Sequence, residues 1–184
     1  RGLTALLLLA VGLLDVWRFC PACRAGIKVD GGRAECPGCG FVAYANPAPT
    51  ANAVCVDERG RVLLARRAVD PDQGLWDIPG GFLEEGEHPL DGIRRELREE
   101  TGLEVEPLEF LCATTDVYGH GPGAAATLNL TWTARVVSGT PEPADDVAEL
   151  RWFAPGELPP PEELAFADAV AGVLASWVAR HQDA

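Results

Sequence analysis

The sequence predicts an α/β fold: a mixed β-sheet held between helices, preceded by a small ribbon built on cysteines. Three observations carry that expectation. Two Cys-x-x-Cys pairs, Cys20/Cys23 and Cys36/Cys39, stand ahead of a Pro-punctuated connector, Phe41 to Pro49. Apolar, β-branched runs of strand length then lie on both sides of one amphipathic helical stretch, His88 to Thr101, and a second such stretch, Glu162–His181, closes the chain. Strands interleaved with helices, rather than grouped apart from them, suit a sheet with helical cover.

A chain of 184 residues suits one medium domain and something small. The expected divisions are an apolar N-terminal segment at 1–17, the ribbon at 18–45 and the main domain at 46–184. Apolar residues make up 47%, enough for a core, while 28 acidic against 15 basic residues leave a net charge of −13 with no basic tract. Long-range attraction to nucleic acid or to an anionic membrane is therefore not expected. A small anionic ligand must be captured by local groups instead. Residues 1–14, RGLTALLLLAVGLL, form an apolar run shorter than the roughly twenty residues of a membrane span. A signal-peptide core after Arg1 is one reading, but no convincing small-x-small cleavage site follows. The preferred reading is a short packing helix or the remnant of an upstream region, in a cytoplasmic protein.

The cysteine pairs are separated by twelve residues, with glycine at Gly31, Gly32, Gly38 and Gly40. A Cys-x-x-Cys knuckle bends the backbone so that two thiolates reach one metal, and two knuckles across a hairpin-length linker read as a tetrahedral Cys20, Cys23, Cys36, Cys39 zinc ribbon. A pair of disulfides or a redox Cys-x-x-Cys are the alternatives, and neither explains the duplicated spacing. Four thiolates leave no open coordination position, so this zinc should stabilise rather than catalyse. Only Arg24, Lys28 and Arg33 lie between the knuckles as basic residues, a thin basis for nucleic-acid binding. Cys55 and Cys112 sit in apolar runs and read as small core residues.

Ala51–Asp57 and Arg61–Arg67 read as a hairpin around Glu58-Arg59-Gly60. After the helix come two long strands, Glu104–Tyr118 and Ala124–Val137, around the turn Gly119-His120-Gly121-Pro122-Gly123. Val147–Phe153 is a further strand, and Ala154–Pro161 a Pro-rich connector. There are no internal repeats.

The chemistry concentrates on His88–Thr101. Pro89 suits the first helical position, and Gly102 stands where a left-handed cap is wanted. At 3.6 residues per turn Leu90, Ile93 and Leu97 share the core face. Glu96, Glu99 and Glu100 fall together beside it, while Asp91, Arg94 and Arg98 point to water. Gly92, one turn before Glu96, is expected to leave room for a ligand. Crowded carboxylates repel, and a divalent cation removes the conflict; hard oxygen donors suit Mg²⁺ or Mn²⁺. Arg95 is placed to orient them by pairing with Glu99 or with Glu87. The bland alternative, a solvated Glu/Arg face, is what an isolated charge run usually is.

Gly81 is followed by five residues and Glu87, then seven and Arg95-Glu96-Leu97, one and Glu99-Glu100, one and Gly102-Leu103. That spacing fills every fixed position of the Nudix box, and the chain resembles a Nudix hydrolase. Gly74-Leu75-Trp76-Asp77-Ile78-Pro79-Gly80-Gly81 resembles the G-x-W-x-x-P-G-G lead-in common in that family, its glycines permitting close backbone approach. Trp76 is read as core. The ribbon followed by Tyr-x-Asn-Pro and the box resembles two groups, the NADH pyrophosphatases and ribbon-bearing enzymes acting on ADP-ribose or FAD. This likeness covers residues 19–103, more loosely to about Phe166.

The resemblance implies a Nudix α/β/α sandwich that hydrolyses a nucleoside diphosphate linked to a moiety X, releasing AMP. It implies catalytic roles for Glu96, Glu99, Glu100, Arg95 and Glu87, with Mg²⁺ or Mn²⁺ on Glu96, Glu99 and Glu100. The carbonyl of Gly80 or Gly81 is a candidate extra ligand, and Gly80, Gly81, Tyr118 and Phe166 are candidate substrate contacts. The general base is expected at Glu96 or Glu100, or at an acid of a later loop, Asp145, Asp146 or Glu149. NADH pyrophosphatases carry an S-Q-P-W-P-F-P signature after the box, and PLEFLCATTDVYGHGPG stands there instead. Leu164-Ala165-Phe166 resembles the ADP-ribose/FAD group, so ADP-ribose or FAD leads. His120 is too isolated to assign as a ligand. A Nudix module that only senses its nucleotide would be expected to lose box carboxylates, and none is lost. A homodimer is compatible with these readings, and the sequence does not fix the oligomeric state.

Overall fold

The structure is a computed structural model describing residues 13–120 and 124–182. Its contacts divide it into two compact units, one running to Pro47 and taking in Tyr118–Ala125, the other formed by Ala48–Val117 and Ala126–Ala184. The apolar run expected at 1–14 lies outside the described residues except for Leu13 and Leu14, and so does most of the 119–123 turn. Leu14 is buried, and its carbonyl accepts the Trp17 N–H at 2.9 Å. No described helix is long and apolar enough to cross a membrane.

The smaller unit is a three-stranded antiparallel ribbon, β1 (Lys28–Asp30), β2 (Arg33–Glu35) and β3 (Val42–Tyr44). Gly31 and Gly32, at φ 53° and 81°, make the left-handed two-residue turn that a tight hairpin requires. Alternation turns Ala34 fully inward and leaves Arg33 and Glu35 exposed. The stretch expected to be pure connector thus contains a strand. Tyr44 registers with Arg33 and Ala43 with Ala34, and the Ala45 N–H closes on Gly32 O at 2.7 Å.

The larger unit is a seven-stranded mixed sheet with one helix against each face. Its strands are β4 (Ala48–Val56), β5 (Val62–Arg67), β6 (Trp76–Asp77), β7 (Gly80–Phe82), β8 (Glu104–Tyr118), β9 (Ala125–Ser138) and β10 (Val147–Phe153). The order is β10-β5-β4-β9-β8, with β6 on β5 and β7 on β4. Strands β4 and β9 run parallel, in register from Ala48↔Thr127 to Val56↔Arg135. The β4–β5 turn is fixed by Asp57, whose Oδ1 accepts the Arg59 and Arg61 N–H groups at 2.9 and 2.8 Å.

Period-two alternation along the central strands sends side chains to two cores. Ala51, Ala53, Cys55 and Leu63 face Ile93 and Leu97 of α1 (Pro89–Thr101). Val54, Val62 and Leu64 face Val170, Val173, Leu174 and Trp177 of α2 (Ala167–Gln182), an i, i+3, i+4, i+7 stripe. Trp76 belongs to that second core, edge-on to Phe153 at 5.1 Å. Cys55 is fully buried in the first.

The final helix starts five residues later than the pattern predicts. Pro161–Glu163 is a single 3₁₀ turn, and Leu164 then bridges to Trp76. The Ala165 N–H bonds Trp76 O at 2.8 Å, and the Phe166 N–H bonds Asp72 Oδ2 at 2.9 Å. With Phe166 at φ 46°, tertiary hydrogen bonds have replaced the first helical turn.

Candidate active site

The site is assembled around helix α1 and the short strand β7, whose Gly80 and Gly81 lie against Glu100 and Glu96. At the entry to α1 the His88 Nδ1 accepts the Leu90 N–H at 3.3 Å, with Pro89 in the first turn. At its exit Gly102 adopts the left-handed conformation and donates to Arg98 O at 3.0 Å. Ile93 and Leu97 anchor the helix in the core, with Arg95 and Glu96 between them and Glu99 and Glu100 just after.

Arg95 is the hub. Its Nε and one terminal nitrogen grip both oxygens of Glu87 at 2.9 Å each. Its other nitrogen reaches Glu96 Oε1 at 2.8 Å and Glu99 Oε2 at 3.2 Å, and the guanidinium also donates to Phe82 O at 3.1 Å. Both pairings expected for Arg95 are present together. The grip on Glu87, with the Glu84 N–H at 3.0 Å, holds the Glu87 carboxyl down at about 2. Glu99 is exposed, Glu96 is half-buried and Glu100 is buried. Burial pushes the Glu96 carboxyl up despite Arg95 beside it. It pushes the Glu100 carboxyl well up, against the stabilising Gly80 N–H at 3.0 Å.

The glycines of the lead-in are required by contact. A Cβ on Gly81 would lie 2.6 Å from the Glu96 carboxylate. Gly80, at φ 139°, would put a Cβ 2.4 Å from Ala51 O. Short strands β6 and β7 stitch this stretch to both central strands, so Gly80 and Gly81 lie under the acidic turn of α1. Gly92 departs from the expectation. The space beside its Cα is filled by Leu83, whose Cδ2 would meet an added Cβ at 2.4 Å, so it serves packing and leaves no room for a ligand.

Of the acids expected in a later loop, Glu149 lies instead on β10, engaged by Arg151 at 2.6 Å and Arg66 at 3.4 Å, and Asp145 is exposed at φ 53°. Asp146 is the one whose charge bears on Glu96 and Glu100. Asp77, which the sequence reading passed over, belongs to the same neighbourhood. Burial pushes its carboxyl up to about 6, while Arg67 at 3.4 Å pulls the other way. Its one sequence signal was its place in the glycine lead-in. Phe166 packs partly buried against the α2-side core with the Arg67 guanidinium 5.4 Å from its ring centre. Tyr118 ends β8 and falls in the smaller unit, where His120 is exposed.

The second donor cluster lies in the smaller unit. The Sγ atoms of Cys20, Cys23, Cys36 and Cys39 all lie within 4.8 Å of one another, with Cys20–Cys39 at 3.7 Å and Cys23–Cys36 at 3.5 Å. None of the four is in a disulfide. Although burial raises it, the Cys36 thiol is brought down to about 7 by the Cys39 and Gly38 N–H groups.

The Nudix domain family model matches residues 46–172, which contain every one of these carboxylates. The chain belongs to the Nudix family. Its relatives include the NAD-capped RNA hydrolase NudC of Pseudomonas aeruginosa, 34% identical over 154 residues that cover 80% of this chain and 52% of that protein. The ADP-ribose pyrophosphatase of Methanocaldococcus jannaschii is 30% identical over 125 residues, 67% of this chain and 69% of that one. A solved Nudix hydrolase structure from Nitrosomonas europaea matches with a TM-score of 0.73 and 26% identity, covering 90% of this chain and 93% of its own. The chain spans about half the length of its NudC relative. The α/β architecture expected for a Nudix fold is thereby shown, and the clustered cysteines fit a zinc ribbon.

Proposed function

We propose that this chain hydrolyses the pyrophosphate bond of a nucleoside diphosphate linked to a second moiety, with ADP-ribose or FAD the leading substrates and AMP a product. The observation that supports it most is the complete set of box carboxylates, each oriented by a protein donor: Glu87, Glu96 and Glu99 by Arg95, and Glu100 by the Gly80 N–H. Hard oxygen donors on one helix turn, two of them with their charged form disfavoured by burial, fit Mg²⁺ or Mn²⁺. Held on Glu96, Glu99 and Glu100, such a cation would screen the pyrophosphate and acidify a bound water. The chain's own part is orientation. Gly80 and Gly81 keep side chains clear of the carboxylates, Arg95 fixes the acidic turn, and Glu96, Glu100 or Asp146 accepts the water's proton.

The ribbon is read as a structural zinc site. A tetrahedral zinc with Zn–S near 2.3 Å sets its sulfurs about 3.8 Å apart, close to the 3.7 Å of Cys20–Cys39 and the 3.5 Å of Cys23–Cys36. Zinc held by thiolates suits a reducing compartment such as the cytoplasm.

A second reading, hydrolysis of NAD(H), is favoured by the likeness to the NAD-capped RNA hydrolase. Against it stands the missing S-Q-P-W-P-F-P signature, and a net charge of −13 argues against long-range RNA capture. The deciding experiment is Mg²⁺-dependent AMP release from ADP-ribose, FAD, NADH and an NAD-capped RNA, measured side by side with Glu99→Gln. Turnover of ADP-ribose or FAD in preference, lost on the order of 10²–10³-fold in the variant, is the expected result. Preference for NADH would select the second reading. Binding without turnover in either protein would make this a sensing module.

A further inference from the structure

The segment joining β9 to β10 is seated on the C-terminal end of α1. The Glu142 N–H donates to Thr101 O at 2.9 Å, and the Ala144 N–H to Glu100 O at 3.0 Å. These carbonyls belong to the last turn, where a helix has no donors of its own to offer. Gly139 makes the seating feasible. It sits at φ 102°, and a Cβ there would lie 2.5 Å from Gly102 O and 3.1 Å from Leu103 Cα, both backbone atoms that have little freedom to yield. At the far end of the segment the Val147 N–H bonds Ala144 O at 3.0 Å, and Asp146 O accepts the Ala68 N–H at 2.6 Å. That second anchor adjoins Arg67, which reaches Asp77 at 3.4 Å. One stretch of eight residues is therefore tied at one end to the helix turn that carries Glu100, and at the other to the end of β5.

We propose that residues 139–146 are a positioning clamp for the acidic turn: seated through Gly139 and the two N–H bonds, they hold the Glu100 carboxylate against the Gly80 N–H and bring Asp146 beside it. The inference rests on the pyrophosphatase reading. Gly139 and the Ala144 N–H are positioning groups that act through Glu100 and Asp146 and touch no reacting atom. Their importance follows from how steeply rate depends on placement, with an error of about 1 Å costing on the order of 100-fold. The charge of Asp146 at Glu96 and Glu100 is consistent with that placement.

The test compares Gly139→Ala, which forces the segment off Gly102, with Ala144→Pro, which deletes one bond and adds no bulk at Gly102. Val137→Thr, on an exposed position of β9, is the control. For each full-length protein, kcat and KM for ADP-ribose, Mn²⁺ affinity by electron paramagnetic resonance and the thermal midpoint are measured. Both variants are expected to lose roughly 10–100-fold in kcat and to bind Mn²⁺ more weakly, with KM changed less than about twofold and the control unaffected. Variants that lose thermal stability yet keep kcat per folded molecule and Mn²⁺ affinity would overturn the clamp. If the wild type hydrolyses no pyrophosphate, the functional reading fails by itself. Mn²⁺ affinity then still decides the clamp, because weaker binding in both variants supports it and equal binding refutes it.

Discussion

The ribbon and the acidic turn of α1 both carry metal-type donors, yet these are held in opposite ways. In the ribbon the backbone does everything. Each knuckle repeats the same fold, with Cys20 O accepting the Arg24 N–H at 2.8 Å and Cys36 O accepting the Gly40 N–H at 2.9 Å. Arg24 and Gly40 are both left-handed, at φ 64° and 76°. The sulfurs are aimed at one another. At α1 the carboxylates are oriented by other protein groups, Glu87, Glu96 and Glu99 by Arg95 and Glu100 by the Gly80 N–H. Donors aimed at one shared point make a closed site suited to stability. Tethered donors that keep a free side, as the exposed Glu99 does, can meet a second ligand and so suit chemistry.

That contrast breaks most visibly if the cysteine cluster of the ribbon is disabled. On the zinc reading, Cys36→Ser or exhaustive chelation removes an interaction of roughly 10 kcal/mol apparent free energy. Amide exchange protection is expected to vanish across β1, β2 and β3. Chelation titrated against exchange, read by mass spectrometry, checks this. Protection that survives with the metal gone would mean that the hairpin alone carries the ribbon.

A smaller effect is expected at the tether of the acidic turn. Arg95→Lys keeps the charge but loses the planar fork that holds both Glu87 oxygens at 2.9 Å while reaching Glu96 and Glu99. With no loss of fold, kcat should fall by about 10–100-fold, the usual cost of removing a group that orients metal ligands. Steady-state kinetics at saturating Mg²⁺ decide it. An unchanged kcat would show that the carboxylates keep their orientation without a tether, and the contrast with the ribbon would lose its basis.

The sequence made legible whatever depends on local pattern. Helix α1, its Pro89 start, its Gly102 cap and its buried Ile93 and Leu97 all follow from a 3.6-residue period and two backbone specialists. The strand β8 and the strand β10 begin and end where their apolar runs do. What escaped depends on partners distant in sequence. Strand β3 exists because Gly32 and Arg33 sit opposite Ala45 and Tyr44. The start of α2 is displaced because Asp72 and Trp76 claim the backbone of Phe166 and Ala165. Gly92 reads as a vacancy on a helical wheel, but Leu83 from the preceding loop fills it. Asp77 carries no periodic signal, and only the fold sets its carboxyl beside buried Arg67.

The smallest expected effect also discriminates most finely between a tethered and an untethered carboxylate. The ordinary value for Glu87 is 4.5, and Arg95 holds it at about 2. Because the folded value lies below the unfolded one, the pair stabilises the fold fully above about 4.5, and that stabilisation is lost as pH falls toward 2. Glu87→Gln should therefore unfold at a lower temperature than the wild type near neutrality, by the equivalent of about 1 kcal/mol or less for a pair still reached by water. The two melting curves should converge as the pH is lowered through that window. Thermal scans at stepped pH test the sign directly. A difference that is constant with pH would mean that Glu87 contributes shape and hydrogen bonds without its charge, and one that grows toward low pH would mean that Arg95 is not its partner in solution.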